Sequence, residues 1–437
     1  MTVKVIGAGL AGCEAAHILS KKGIKVELHE MKPQSYSPAH KLPTFAELVC
    51  SNSLKAERFG SAAGLLKWEM EYLGSLTVPL AKKNAVPAGG ALAVDRVLFS
   101  KQVTEAIKSD PNITVVTGEV ENIDPDEYTI IATGPLTGGR LADSLKALCG
   151  EEYLSFYDAA APIVTADSID MEHAFFASRY DKGDGDDYIN CPLNKEEYEA
   201  FVSALVSAER ALLHENDMGL KVYEGCMPIE VLASRGTDAI RFGPMKPVGL
   251  KDPKTGHRPW AVLQLRKETK QAEMYNLVGF QTNLKFGEQK RVFGMIPALS
   301  HAEYVRYGVM HRNSFIDSPR VLNSDFSMKK HPKVSFAGQI SGVEGYMESA
   351  ASGIAAALFM AAAINGEQLP PFPDITMIGA LSRYISDGSV KNFQPMGANF
   401  GILPPLPTAI RDKKERYNLL AERSAKWFSD NVRSEEK

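Results

Sequence analysis

The chain has 437 residues, 44% of them apolar and 23% charged, with a formal charge of −4; this is more than one ordinary core can hold, so two or three folded domains are expected and a disordered, fibrous or single small binding chain is excluded. Five cysteines without a CxxC pair argue against a disulfide framework and a structural zinc, so free thiols and no metal are expected. The sequence enters a strand directly after Met1, leaving no room for a signal peptide, and no window reaches the ~20 uninterrupted apolar residues of a membrane span, so the expectation is a cytoplasmic protein without a membrane partner.

In chain order, residues 3–6 read as a short apolar strand, 7–12 as a glycine turn, 13–20 as a helix closed by Lys21-Lys22-Gly23, and 25–28 as a second strand ending at Glu30. That β-turn-α-β unit lays down a parallel sheet. Further strands are expected at 128–132 and 334–337, each running into glycine, the later one followed by an Ala-rich helix over 348–364. Sheet pieces at both ends of a sequence require an insertion between them. The expected fold class is therefore α/β, a Rossmann-type, glutathione-reductase-like nucleotide-binding domain built from 1–154 and 326–437, interrupted by an α/β domain over 155–325. Tyr417, Leu420, Ala421 and Phe428 share a face of a helix over 413–428, expected to cap the body. Charge is uneven: residues 241–291 carry eleven Lys/Arg against four Asp/Glu, and 181–217 three against ten. Solvated faces are the plain explanation of both.

Gly7-Ala8-Gly9-Leu10-Ala11-Gly12 fits G-x-G-x-x-G with a strand before it, a helix after it and an acid at the end of the next strand. Gly7 permits the turn, Gly9 lets the backbone approach a pyrophosphate, and Gly12 lets helix and strand pack closely. Glu30, eighteen residues beyond Gly12, is placed to accept from a ribose hydroxyl. The motif leaves NAD and FAD open. Ile131-Ala132-Thr133-Gly134 and Phe336-Ala337-Gly338-Gln339, with Gly342, Gly345 and Gly353, resemble the flavoproteins of this fold, although many of those carry an acid where Gln339 stands.

Residues 47–53 (ELVCSNS), 87–96 (PAGGALAVDR) and 342–349 (GVEGYMES) resemble the folate- and FAD-dependent tRNA uracil-5-methyltransferases of the TrmFO family over essentially the whole chain. The GidA-type wobble-uridine enzymes are the nearest look-alike. The resemblance implies FAD held by residues 7–12, Glu30, Lys32, Thr133, Gly134, Gly338, Gln339, Gly345 and Met347. It also implies methylenetetrahydrofolate as one-carbon donor, NADPH or NADH as reductant, and C5 of a uridine in the T-arm of tRNA as acceptor, with ribosomal RNA an open variation. C5 of uracil becomes nucleophilic only when a thiolate adds at C6. The resemblance assigns that attack to Cys226 and proton removal or assistance to Cys50, where Ser51-Asn52-Ser53 offer helix caps that would favour a thiolate. Cys13, Cys149 and Cys191 read as apolar fillers. Tyr346, in a glycine-flanked turn, could stack on the flavin or simply support the loop. His301, His311, Arg312 and Arg291 could hold folate or RNA, or belong to polar networks. The basic stretch also carries Tyr275, Phe280 and Phe286, and cations with aromatics suit an unpaired RNA loop. A small-molecule flavin oxidoreductase leaves that stretch and the two cysteines unexplained; a flavoprotein that binds RNA or protein without catalysis is a further alternative.

Overall fold

The computed structural model describes residues 1–150, 153–181, 187–211, 227–268, 271–390 and 393–432. Five parallel strands form its first sheet, in the spatial order Val334–Phe336, Thr129–Ile131, Thr2–Ile6, Lys25–Glu30 and Ile113–Thr117. Val3, Val5, Ile130, Ile131 and Phe336 are fully or almost fully buried, as expected of parallel strands covered on both faces. The helix after the glycine turn begins at Leu10, earlier than its apolar pattern suggests, because extended Gly9 serves as its N-cap without a capping side chain. The Ala-rich helix spans Tyr346–Asn365. It is long and apolar enough to cross a membrane, yet 78% of its apolar window is buried inside the molecule, where it lies along Leu10–Lys21. Alanine and glycine along this helix let the two axes approach closely.

A second sheet of six strands is inserted in the chain between the fourth and the last strand of the first. Its order is Phe175–Phe176, Tyr188–Leu193, Ala261–Lys267, Met274–Leu277, Ile163–Thr165 and Tyr304–Arg306, antiparallel at every pairing. Tyr198, Phe201 and Leu205 of the helix Lys195–Ser207 pack on it with Phe280 and Phe293, forming a hydrophobic cluster of their own. That helix starts at a capping box in which Asn194 and Glu197 satisfy each other's backbone N–H groups. The α/β class and the Rossmann-type sheet with an inserted unit are both present.

The helix Lys413–Asn431 returns to the first unit and sets Phe428 against Trp68, Tyr72, Phe372 and Trp427. Beneath it Glu69 is fully buried and accepts from Met377 N (2.7 Å), Ile378 N (2.8 Å) and Ser424 Oγ (2.6 Å). One carboxyl thus caps the helix Met377–Ser386 and ties the C-terminal helix to Ala62–Tyr72. Burial outweighs these bonds and pushes its pKa up to about 7. A carboxyl held above its unfolded value binds its proton more tightly in the folded state. Stability therefore falls as pH rises through the window from the ordinary carboxylate range to about 7, by up to about 3 kcal/mol. Glu69→Gln is expected to flatten that slope in denaturant unfolding between pH 5 and 8; equal slopes for the two proteins would show that the acid carries no burial penalty.

Candidate functional site

A cavity of about 410 Å³ opens where the parallel strands end. Gly7 to Ala11, Glu30, Lys32, Thr133, Gly134, Gly338, Gln339 and Tyr346 all contribute to its wall. Gly7 has φ +98°, and a Cβ there would stand 2.6 Å from the Ala132 carbonyl oxygen. A Cβ on Gly12 would stand 1.8 Å from the Gly7 carbonyl oxygen. These two glycines are dictated by the fold. At Gly9 a Cβ would meet nothing within 4 Å, so this position is open toward the cavity while the helix behind it has no capping side chain. The first-turn N–H groups and the positive helix end are presented to a ligand, which is what a pyrophosphate requires.

Glu30 Oε2 accepts from Ala8 N (2.8 Å) and Oε1 from Lys32 N (3.0 Å). Each oxygen keeps a second acceptor position for a hydroxyl. Lys32 is buried, with its ammonium donating to Thr44 O at 2.5 Å and 3.7 Å from Glu47, so it buttresses the wall. Gln339 donates through Nε2 to Glu344 Oε2 at 2.7 Å. Gly345 and Met347 stand behind the wall, Met347 in the core and Gly345 at the turn that starts the Ala-rich helix. The open turn, unused helix end and acid together fit a dinucleotide.

At one end of the cavity the Tyr346 hydroxyl meets Cys50 Sγ at 3.0 Å. It accepts from Cys50 N (2.9 Å) and Ser51 N (3.3 Å). Those two donors fill its lone pairs, leaving its proton for the sulfur. Burial, followed by the neighbouring Cys50, holds the Tyr346 pKa well above that of an ordinary phenol, so the group acts as a neutral donor. No helix begins after Cys50: residues Ser53–Ala56 form a strand paired with Ala91–Val94. Asn52, expected as a cap, is instead buried, donating to Val94 O and Lys267 O and accepting from Arg266 Nε at 2.8 Å. Helix N–H groups are thus replaced here by guanidiniums. Arg266 also donates to Ser51 Oγ (2.7 Å), Arg96 pairs with Glu268 at 2.6 Å and donates to Leu48 O, and Arg306 lies within electrostatic reach of Cys50 and Tyr346.

Sequence reasoning missed Arg96, Arg266, Glu268 and Arg306. A signal existed at two of them, since Arg266 and Glu268 close a strand that opens on Ala261, Val262 and Leu263, and charges on a strand with so apolar a start imply buried partners. Cys226 lies outside the described residues. His311 and Arg312 sit on the strand Met310–Ile316 opposite Asp158 and Tyr157, and their side chains are likewise outside the description. His301 is exposed within electrostatic reach of Asp170, and Arg291 is exposed and paired with Glu288 on its own helix; neither lines the cavity. Cys13, Cys149 and Cys191 are buried, and burial raises each thiol's pKa. Two of the three aromatics expected for stacking are corrected: Tyr275 and Phe280 belong to the second core, leaving Phe286 at the surface.

Residues 2–368 match the family described as glucose inhibited division protein A. The chain is 56% identical over 430 residues to the methylenetetrahydrofolate–tRNA-(uracil-5-)-methyltransferase TrmFO of Acetivibrio thermocellus, covering 98% of each chain. It is 56% identical over 423 residues to the protein of that name from Listeria monocytogenes, covering 97% of each. Among solved structures, GidA of Aquifex aeolicus superposes with a TM-score of 0.71 at 15% identity over 98% of this chain and 73% of that one, which bears on the fold alone.

Replacing Tyr346 by Phe removes the hydroxyl that faces Cys50. A charge-assisted bond of this kind contributes about 1.5–3 kcal/mol, so alkylation of Cys50 at neutral pH, followed by mass spectrometry of its peptide, is expected to slow roughly 10- to 150-fold. An unchanged rate would mean that the hydroxyl does not stabilise the sulfur anion.

Proposed function

The chain belongs to the glucose inhibited division protein A family and, within it, to the TrmFO methyltransferases, and from that premise we propose that it methylates C5 of a uridine in tRNA, at position 54 of the T-loop, with methylenetetrahydrofolate as donor. The observation that carries this reading is the Cys50–Tyr346 contact, which holds a thiol against a side chain of the cavity wall. FAD is the cofactor proposed for that cavity: when bound it relays the one-carbon unit and supplies reducing electrons drawn from NADPH or NADH. Gly9 and the helix end behind it would hold its pyrophosphate, Glu30 its ribose, and Thr133, Gly134, Gly338 and Gln339 would contact the rest.

The chain's own residues divide the remaining work. Cys226 adds to C6 of the uracil and so concentrates electron density at C5. Cys50, oriented by Tyr346, removes the C5 proton once the new carbon bond has formed. Arg96 and Arg306 favour the anionic states of this region. His301, His311, Arg312 and Arg291 are assigned to contacts with folate or RNA. A T-loop base is buried in the folded tRNA and must be extruded, at a cost of a few kcal/mol that phosphate contacts from the basic stretch 241–291 repay.

Unmodified tRNA transcript, methylenetetrahydrofolate and NADPH are expected to yield 5-methyluridine at one position, whereas S-adenosylmethionine in place of folate yields none. Cys226→Ala should abolish turnover while the protein stays yellow; a fully active variant would remove Cys226 as the attacking group. Two glycine substitutions separate ligand from fold. Gly9→Val is expected to fold normally but purify without flavin, whereas Gly12→Ala should lose several kcal/mol of stability through its backbone clash. A yellow Gly9→Val protein would place the pyrophosphate elsewhere.

A further inference from the structure

The strand Tyr304–Arg306 and the helix Phe286–Phe293 bring together three aromatic rings that the proposed chemistry does not use. Tyr304 and Tyr307 stack with centroids 4.9 Å apart and planes 8° from parallel, and Tyr307 and Phe286 continue the stack at 4.7 Å and 16°. The outermost ring, Phe286, is 55% exposed, an unusual cost for a large apolar side chain at the first position of a helix. The ladder is held in register from below. Buried Gln289 accepts from Gly308 N at 2.8 Å and donates to Gly308 O at 2.8 Å, which clamps the turn carrying Tyr307 to the helix carrying Phe286.

We propose that this ring ladder is a stacking platform for an unpaired nucleobase of the substrate RNA, the one neighbouring the extruded uridine. The inference rests on the reading that the chain acts on RNA uridine, and it assigns the subsite that the reading leaves open. Three observations choose the occupant. Parallel rings with an open end face offer a base a flat π surface without edge contacts, so any of the four bases is accepted. Lys285, just before Phe286, and Lys290 and Arg291 on its helix are exposed; Lys285 pairs with Glu209 and Arg291 with Glu288, and such surface ion pairs exchange at little cost for phosphates. Tyr307 also follows Arg306, which lies within electrostatic reach of Cys50 and Tyr346, so a single peptide bond links the ladder to a residue of the thiol site. Because the Gln289 clamp fixes the rings before RNA arrives, the base meets a preorganised surface.

The test uses the full-length flavin-loaded protein and a T-arm hairpin carrying 2-aminopurine beside the target uridine. Wild-type protein is expected to quench the probe on binding. Phe286→Ala should abolish the quench and raise KM for tRNA transcript roughly 5- to 100-fold with kcat within a factor of two. Phe286→Trp should restore both, and Phe286→Leu, apolar without a π face, should restore neither. An unaltered KM in Phe286→Ala, rescue by leucine, or a change in oligomeric state in place of RNA affinity would each overturn the platform. Absence of methylation by the wild-type protein would overturn the function proposed above, which keeps the two failures distinct.

Discussion

Everything at the nucleotide cavity depends on backbone passing closer to backbone than a side chain permits. A Cβ on Gly353 would stand 2.1 Å from the Ala11 carbonyl oxygen, and the corresponding distance at Gly12 is 1.8 Å. These contacts lock the first helix between the glycine turn and the Ala-rich helix, which aims its N-terminus into the cavity. Protein interiors yield little to added volume, so the constraint propagates from packing to ligand geometry. Glu30 then holds the turn from the other side through Ala8 N, so one acid shapes the loop and faces the ligand.

The thiol site is built differently, by partners drawn from two units. Along Ala261–Lys267 the side chains alternate: Ala261, Leu263 and Leu265 enter the second core, while Gln264 and Arg266 face the other way. Arg266 reaches Ser51 and Asn52, and Glu268, just past the strand, pairs with Arg96. Buried charges of this kind are tolerated only when paired and hydrogen-bonded, and removing one partner is more destabilising than the pair is stabilising. Their arrangement fixes how the second sheet meets the loop that carries Cys50.

What was legible in the sequence follows this division. The glycine turn, Glu30, the late strand and the Ala-rich helix rest on local pattern, and the structure has all four. The surroundings of Cys50 were misread because Ser51-Asn52-Ser53 have cap propensity, which cross-strand pairing and burial of Asn52 override. The arginines that replace the expected cap, Arg96, Arg266 and Arg306, lie far along the chain from Cys50, where no local pattern reports them. Tyr275 and Phe280 were misassigned because a basic segment does not reveal the phase of its strand; Tyr275 and Leu277 point inward together.

The edge position of Val334–Phe336 has a consequence for biosynthesis. Its partner Thr129–Ile131 leaves the ribosome some two hundred residues earlier, and the helix that clamps the glycine turn follows later still. Throughout that interval the nascent chain carries an open, apolar strand edge and a turn without its buttress, while the intervening sheet assembles from strands that are themselves distant in sequence. The cavity walls are thereby completed only late in translation, and until then the exposed strand edge is open to pairing with other chains.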